Sequence, residues 1–383
     1  MLTLVPHRRI PIYKEKSQSY IEGEITKQNG SPFNKDRFVN SERKTPTKSP
    51  SPAYKSPSCA NFSESPMKSP ISTPKKEKKY QVTDTTLDAP DIIDLEVNQI
   101  MSFNNASQLA VALGQHVYIW RSGDVEYYMN ATVTIDALDW YDNDTLVIAP
   151  NGHVELWGVT SKRCARRLQQ HSGRVNCISC TSGKVATAGT DKMIHISDLK
   201  TFKTETLIGH KSEIVSIAWS PDGVMLASAD RSGILAIWSN RKRKRIQLKL
   251  PIASIAWLSQ TTIAVGFKND AGTLKLVNIL YPDEEEIPSI QTGQPISYIS
   301  WTPIRGIFVA HRILPFDVEL YGRDLIKIDE FQGHDGPIMQ VICTSDGSYA
   351  ASIAADEKIK LWNFININTL DRAQSAQFFP TIR

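Results

Sequence analysis

Three histidines each precede an aspartate by 20 to 22 residues, a pairing that could carry chemistry. The pairs are His171 with Asp191, His210 with Asp230, and His334 with Asp356. An imidazole beside a carboxylate can move a proton or hold a metal ion. Outside this repeated pattern, however, no histidine is accompanied by a serine or cysteine nucleophile, and the chain has no phosphate-binding glycine loop. We therefore predict no catalytic residue, no enzymatic activity and no cofactor.

The cysteine pattern also argues against a metal site. Cys177 and Cys180 form a single Cys-x-x-Cys pair, and no second pair exists to complete a zinc site. On a strand, residues three apart face opposite sides, which separates the two thiols. Five cysteines in 383 residues do not make a disulfide framework. We expect no metal site and a reducing compartment, with the nucleus and cytoplasm both open and the nucleus favoured.

The chain has two unlike parts. Residues 1–86 hold 16 Lys and Arg against 8 Asp and Glu, no Trp, and ten of the 21 prolines. Such a composition predicts a disordered head. The remaining 297 residues hold 28 cations against 32 anions and all eight tryptophans, so the basic charge of the whole chain does not predict nucleic-acid binding. No apolar run approaches the 18 residues that a membrane helix needs, and no secretory signal is recognisable.

The head is rich in Ser-Pro and Thr-Pro pairs. Of eight such pairs, Thr45, Ser65 and Thr73 have a basic residue two positions after the proline. This pattern suits cyclin-dependent kinases, and each phosphate adds about −1.5 to −2 charges. We predict that a cyclin-dependent kinase regulates the protein by phosphorylating these three residues. The segment Pro74–Lys79 is a candidate nuclear signal. The basic run Arg241–Arg245 is a second nuclear signal, a phosphate-binding patch or a solvated loop.

A repeat of about 40 residues begins near residue 99. Its short β-branched runs end at equivalent positions, namely Trp120, Trp157, Ser197, Trp238, Val277, Tyr321 and Trp362. Short alternating strands at this period predict an all-β, seven-bladed β-propeller. Ring closure needs a strand from outside the last repeat, for which residues 87–98 are the candidate. The predicted organisation is a head at 1–86, a propeller at 87–370 and a tail at 371–383.

The His–Asp pairs also fit this fold. In WD-type blades, a His some 20 residues before an Asp forms a hydrogen bond with it that fixes a tight turn. We therefore expect the three pairs to be structural.

Three segments together resemble one family. They are Leu87–Pro90 with Leu109–Trp120, the third-repeat opening His171–Ser179, and the terminal Ile382-Arg383. On these segments residues 87–383 resemble the fizzy/fizzy-related WD-repeat activators of the anaphase-promoting complex, a ubiquitin ligase. The family's checkpoint-binding motif is not found, which favours the fizzy-related or meiosis-specific branch.

The resemblance implies two ligase-docking segments. The terminal Ile382-Arg383 would enter a pocket of a ligase subunit, where an Ile side chain, a guanidinium and a carboxylate make a compact anchor. The second segment is a C-box-like motif in the head, formed by Asp36, Arg37, Phe38 and Val39, with Arg43 four positions later. Its family proline is replaced by Asn40, so we expect a weakened anchor here. Phosphorylation of the head would weaken this docking through added negative charge.

The resemblance also implies that the propeller binds degrons. The Arg of a destruction box (Arg-x-x-Leu) would meet carboxylates between the first and last blades, here Asp94, Glu96 and Glu357. The pocket for the KEN box, a second degron, lacks its polar contacts, because Ser102, Arg231 and Pro337 stand where others are expected. Recognition of KEN boxes is therefore expected to be weak or absent.

The resulting prediction is a substrate-recruiting activator of the ligase in the mitotic or meiotic cell cycle. Its partners would be anaphase-promoting complex subunits, degron-bearing substrates and a cyclin-dependent kinase, with no nucleic acid and no membrane. Two alternatives remain: a WD-repeat scaffold with no ubiquitin-ligase link, or a ligase-docking member that has lost degron recognition.

Overall fold

The computed structural model describes residues 80–90, 92, 99–168, 171–239, 242–282 and 287–366. The chain divides into two compact units, Met1–Thr73 and Pro74–Arg383, and every described residue belongs to the second. The three phosphorylation sites, the C-box-like motif and the terminal Ile-Arg pair lie outside the described residues.

The described residues form 28 strands in seven four-stranded antiparallel sheets, which confirms the predicted all-β, seven-bladed propeller. Blade 1 contains β2 (Met101–Phe103), β3 (Leu109–Leu113), β4 (His116–Arg121) and β5 (Asp124–Asn130). Blade 2 contains β6 (Ile135–Trp140), β7 (Thr145–Pro150), β8 (Glu155–Gly158) and β9 (Arg163–Arg167). Blade 3 contains β10 (Val175–Thr181), β11 (Lys184–Gly189), β12 (Met193–Asp198) and β13 (Thr204–Ile208).

Blades 4 to 7 follow the same order. Blade 4 contains β14 (Ile214–Trp219), β15 (Leu226–Asp230), β16 (Ile234–Ser239) and β17 (Lys242–Gln247). Blade 5 contains β18 (Ile252–Trp257), β19 (Thr262–Phe267), β20 (Thr273–Asn278) and β21 (Ser289–Gln291). Blade 6 contains β22 (Ile296–Thr302), β23 (Gly306–His311), β24 (Val318–Tyr321) and β25 (Lys327–Phe331). Blade 7 contains β26 (Ile338–Cys343), β27 (Tyr349–Ala354), β28 (Lys358–Asn366) and β1 (Tyr80–Asp88). No helix that could cross a bilayer was found in the described part of the chain.

Packing between blades explains the spacing of the sequence repeat. The repeat endings fall on the third strand of each blade, and the middle strands are the most buried because neighbouring sheets cover both of their faces. Tryptophans that end the first strands join one blade to the next. The indole Nε1 atoms of Trp140, Trp219 and Trp257 donate to backbone carbonyls of the preceding blade's first strand, at 2.9–3.1 Å. These matching bonds hold the first strands in register at three of the contacts between blades.

The meander topology gives the ring two distinct ends. Every sheet is antiparallel, and all follow chain order except that blade 7 takes β1 as its fourth strand. Turns between first and second strands therefore lie at the same end as turns between third and fourth strands. We call this the hairpin end. The turns between second and third strands and the connections between blades lie at the other end, which we call the connection end.

The ring closes through a strand from before the first repeat. β1 pairs antiparallel with β28 along its whole length, from Tyr80 opposite Asn366 to Asp88 opposite Lys358. A closing strand from outside the last repeat was correctly expected, but its predicted position, 87–98, overlaps the observed strand only at its last two residues. The reason is that β1 is largely exposed, so it carries little of the apolar alternation that marks the inner strands.

Blades 7 and 1 meet at a buried amide. The side chain of Gln340 has no solvent exposure. Its Oε1 atom accepts a hydrogen bond from Met101 N, and its Nε2 atom donates to Met101 O, both at 2.9 Å. Two bonds to a single buried residue satisfy the amide on both sides, and they link the first strand of blade 7 to the first strand of blade 1.

The described part of the basic run 241–245, from Lys242 onward, is a strand and not the solvated loop that one reading of the sequence gave. Residues from Lys242 onward form β17, the outer strand of blade 4. Arg243 lies 5.5 Å from the centre of the Trp238 ring, and Lys244 Nζ donates to Ile279 O at 2.7 Å. Charged side chains on an outer strand discourage pairing with other sheets, which accounts for their place in the fold.

Candidate protein-interaction surfaces

The His–Asp pairs close turns at the connection end. In blade 4, His210 Nδ1 lies 2.9 Å from Asp230 Oδ2, and His210 Nε2 lies 2.7 Å from Ser228 Oγ, which also accepts from Trp238 Nε1 at 2.8 Å. Although burial raises the pKa of Asp230, hydrogen bonds from His210, Ser232 and Ile234 outweigh it and lower the pKa to about 2. The ionised carboxylate is therefore a fixed part of the turn.

The other two pairs have the same geometry. His171 Nδ1 is 2.9 Å from Asp191, and His334 Nδ1 is 3.0 Å from Asp356. Burial lowers the pKa of both histidines, despite the neighbouring carboxylates. His195 approaches the first pair closely enough that the three groups could surround an ion. Both ring nitrogens of His171 are already hydrogen-bonded, to Asp191 and to Thr187. Neither nitrogen is therefore free to bind an ion.

Blade 6 contains a fourth pair that the sequence analysis missed. His311 Nδ1 lies 2.8 Å from Asp317 Oδ1, and the imidazole is fully buried. The pair is separated by six residues rather than 20, because here the histidine ends β23 instead of preceding the blade. It continues into a polar group in which Glu319 accepts from Tyr321 Oη at 2.7 Å and from Lys327. The sequence did contain one signal of this polar group. Glu319 is an acidic residue within a strand, at a position that the structure shows to be buried.

Glu357 is held beside the end of the closing strand. It lies in the turn between β27 and β28 at the connection end, and its side chain is exposed. Its backbone carbonyl accepts from Ala89 N at 2.7 Å. Ala89 belongs to the Leu87–Pro90 segment and is fully buried. The positive φ of 58° at Glu357 is matched by 64° at Lys192 in the equivalent turn of blade 3, so it belongs to the turn type.

Of the predicted degron-binding carboxylates, only Glu357 is described. Asp94 and Glu96 lie outside the described residues, in the connection from blade 7 to blade 1. Both ends of that connection are fixed. Ala89 binds the turn of Glu357, while Gln99 O accepts from Leu138 N at 2.8 Å and Gln99 Oε1 accepts from Ile178 N at 3.1 Å. The structure thus places the two ends of this segment, but not the two acidic side chains.

The positions compared with a KEN pocket are occupied by internal contacts. Arg231 forms an ion pair with Glu213. Ser102 is buried and its Oγ donates to Asp139 Oδ1 at 2.7 Å, so it is not available at the surface. Weak KEN recognition stays a prediction.

Asp139 is an acidic group that the sequence did not single out. It lies on β6, and its carboxylate accepts from Ser102 Oγ, from Cys180 N at 3.0 Å and from Trp140 N at 3.0 Å. These bonds join the first strands of blades 1, 2 and 3. Burial raises the pKa of Asp139 to about 6, although the hydrogen bonds oppose the shift. Burial also raises the pKa of the Cys177 and Cys180 thiols, as expected for structural cysteines.

Comparison with known proteins gives the same picture of the repeat. The family model described as "WD domain, G-beta repeat" matches residues 162–198, 202–239 and 326–363. The chain superposes on a chain from "Crystal Structure of Mitotic Checkpoint Complex" with a TM-score of 0.69. This match covers 79% of the present chain and 98% of the other at 23% identity, and it shows a shared fold.

Three curated relatives are similar in sequence to most of this chain. "Cell division cycle 20.5, cofactor of APC complex" from Arabidopsis thaliana is 25% identical over 329 residues, which are 79% of this chain and 73% of the relative. "WD repeat-containing protein slp1" from Schizosaccharomyces pombe is 25% identical over 76% of this chain and 63% of its own length. "Protein FIZZY-RELATED 3" from Arabidopsis thaliana is 24% identical over 79% of this chain and 64% of its own length. The chain therefore spans between three fifths and three quarters of these relatives.

Proposed function

Since this chain belongs to the fizzy/fizzy-related family of WD-repeat proteins, we propose that it is a non-catalytic adaptor that recruits substrates to the anaphase-promoting complex. The relative described as a cofactor of that complex supports the ligase as partner. Holding a substrate on the ligase raises the effective concentration of its lysines near the ubiquitin donor. The partners are thus ligase subunits and degron-bearing proteins.

The observation that carries the degron-binding part of the proposal is the bond between Ala89 and the turn of Glu357. It fixes the start of the connection to blade 1 beside an exposed carboxylate at the connection end. Asp94 and Glu96 follow within seven residues of Ala89 in the sequence. A destruction-box arginine that approaches this place would pair with Glu357, and a partly desolvated pair of this kind contributes a few kcal/mol of coupling.

Ligase docking is proposed for the two terminal segments. These are Ile382-Arg383 and the head motif Asp36–Val39 with Arg43. β1 begins and β28 ends at the hairpin end, since Tyr80 pairs with Asn366. The described ends of these two strands, Tyr80 and Asn366, thus lie at the end of the ring opposite the Glu357 turn. Phosphorylation at Thr45, Ser65 and Thr73 by a cyclin-dependent kinase would weaken docking, and a nuclear site of action fits the basic segment Pro74–Lys79.

A ligase pull-down tests the proposal. We expect the full chain to capture the anaphase-promoting complex and the variant lacking Ile382-Arg383 to capture several-fold less, whereas Thr381→Ala behaves as the parent. In a ubiquitination assay, the full chain should promote modification of a destruction-box substrate, and replacing the Arg and Leu of the box should abolish it.

Two results would contradict this function. Unchanged capture after the terminal deletion, together with unchanged capture after replacement of Phe38, would support a scaffold without a ligase link. Capture without substrate modification would identify a docking member that has lost degron recognition.

A further inference from the structure

Blade 6 exposes three isoleucines at the hairpin end. Ile304 lies in the turn between β22 and β23, Ile326 lies in the turn between β24 and β25, and Ile328 lies near the start of β25. Their exposed fractions are 59%, 62% and 46%. Among the described residues, the turns at this end of blades 7, 1 and 2 carry no large exposed apolar side chain. Single exposed apolar residues are ordinary, whereas several on one blade indicate a contact surface, which we call the blade 6 patch.

The blade 6 patch adjoins the strand from which the tail continues. Arg305 follows the first of the three isoleucines in the sequence. Its guanidinium lies 5.0 Å from the centre of the Phe364 ring on β28 and 4.8 Å from that of Tyr80 on β1, and it donates to Phe364 O at 3.3 Å. Asp329 follows the last isoleucine, and its carboxylate accepts from Tyr80 Oη at 3.2 Å. Residues next to the patch are therefore bound both to the end of β28 and to its partner β1.

The tail has the apolar residues and the length to cover this patch. β28 ends at Asn366, and 17 residues follow it. Phe378 and Phe379 are the aromatic residues of that segment. Phe378 comes 12 residues after Asn366, and a chain of this length can span up to about 40 Å. Since Arg305 joins the patch to Phe364, two residues before the end of β28, the patch lies within reach.

Attachment to the ring also favours the chain's own tail as the occupant. Two groups joined by a short flexible linker meet at an effective concentration in the millimolar range. The two phenyl rings would therefore cover the patch for about half of the time or more, even if a separate tail peptide bound with a Kd of about 1 mM. A second copy that carries the same segment would have to reach that concentration to compete.

We propose that the blade 6 patch is the docking site of the chain's own tail, and that Phe378 and Phe379 cover the exposed isoleucines. Burial of both sets of apolar side chains drives the contact. Ile382-Arg383 begins three residues after Phe379 and is thereby held beside blade 6. This last consequence bears on ligase docking and rests on the proposed function. The contact itself forms without the ligase.

Cleavage by chymotrypsin tests the contact in the full-length protein. The protease cuts after accessible phenylalanines, so hydrolysis between Phe378 and Phe379 releases the pentapeptide 379–383, which mass spectrometry quantifies. The synthetic segment 367–383 gives the rate for an uncovered bond. At micromolar protein and without ligase, we expect the parent to be cut about twofold or more slowly than this peptide, because the docked bond is protected.

Variants of the patch locate the contact. Ile304→Asp and Ile326→Asp should each return the rate of cleavage towards that of the free segment. Val224→Asp is the matched control, because Val224 is 55% exposed in the blade 4 turn that is equivalent to the turn of Ile304. It lies three blades away from β28 and should leave the rate unchanged. Thermal unfolding checks that each variant is folded.

Hydroxyl-radical footprinting examines the other side of the contact. The double variant Phe378→Ser/Phe379→Ser retains the length of the tail and its terminal dipeptide. Loss of the two phenyl rings should increase oxidation of the Ile304 and Ile326 side chains by about twofold or more, as expected for a patch that is covered at least half of the time. Oxidation of Val224 should not change.

The proposal fails on any of three results. The first is cleavage of the parent as fast as that of the free segment. The second is slow cleavage that Ile304→Asp and Ile326→Asp leave unchanged. The third is protection that increases with protein concentration, since this would identify a second copy as the source of the tail. Every variant keeps Ile382-Arg383 and no ligase is present, so ligase capture can succeed or fail independently of this contact.

Discussion

The backbone N–H of Ala89 donates to the carbonyl of Glu357 at 2.7 Å. This single bond joins the end of the closing strand to the turn of blade 7 that carries the exposed carboxylate. A segment from before the first repeat therefore helps to build the edge of the last blade. The candidate degron site and the closure of the ring are parts of the same structure, and each can be tested separately.

Neutralising Glu357 should weaken binding of a destruction-box peptide. In Glu357→Gln the backbone bond to Ala89 is retained, so only the charge that meets the arginine is lost. We expect about a tenfold loss of affinity, as for one charge partner at an interface. Isothermal titration with an Arg-x-x-Leu peptide measures it. Asp270→Asn, an exposed carboxylate near the equivalent turn of blade 5, is the matched control. Equal affinities for the two variants would exclude Glu357 from the site.

Removing the closing strand should destabilise the propeller. A chain that starts at residue 80 keeps β1, whereas a chain that starts at residue 90 loses all nine of its residues. The second should unfold at a temperature lower by about 5 °C or more, since 1 kcal/mol corresponds to roughly 2–4 °C in domains of 150–250 residues. Differential scanning calorimetry compares both with the full chain. If the two truncated chains melt together, β1 contributes nothing to closure.

Replacing His210 with alanine should lower the free energy of unfolding by about 1–3 kcal/mol. The substitution removes one hydrogen-bond partner from the buried Asp230 carboxylate and one from the buried Ser228 hydroxyl, and the loss of such bonds costs about this much. Urea unfolding followed by tryptophan fluorescence measures the change. His153→Ala removes an exposed histidine and should be nearly neutral. A neutral His210→Ala would mean that the turn does not depend on the pair.

Asp139 should give the stability a specific dependence on pH. Its pKa is about 6 in the folded state against an ordinary value of 3.8, so the folded protein binds more protons between these values. Its contribution to stability is therefore present at low pH and is lost as pH rises through about 6, by up to about 3 kcal/mol.

The comparison with Asp139→Asn isolates this contribution. The free energy of unfolding at pH 5 minus that at pH 7.5 should be larger for the parent than for the variant. Histidines whose pKa is lowered, such as His171 and His334, act in the opposite direction in both proteins and cancel from this comparison. Asp198→Asn is the control, because its carboxylate is exposed and stays ionised in this range. An unchanged difference would show that Asp139 does not titrate there.

The sequence predicted the inner strands better than the outer ones. All seven repeat endings lie on third strands, because burial on both faces demands apolar residues at regular spacing. The outer strand β9 is exposed along its whole length. Burial therefore does not restrict its residue types, and it shows little alternation of apolar and polar residues. For the same reason the run at 241–245 resembled a loop, and β1 was placed too late in the chain.

The site residues were predictable where the chain is repetitive. Three His–Asp pairs followed from their similar spacing of 20 to 22 residues, while His311 and Asp317 are separated by a shorter stretch that only the fold explains. Asp139 carries no sequence signal at all. Its importance comes from Ser102 and Cys180, which lie on neighbouring blades and contact it only after the ring has formed.

The pairing of β1 with β28 has a mechanical consequence. Tyr80 lies opposite Asn366, so both termini leave this pair at one edge. Tension between the head and the tail would load the cross-strand hydrogen bonds one after another, as in opening a zipper, instead of all together. A propeller held at both termini would thus open between β1 and β28 under small forces, and the remaining six blades would stay folded.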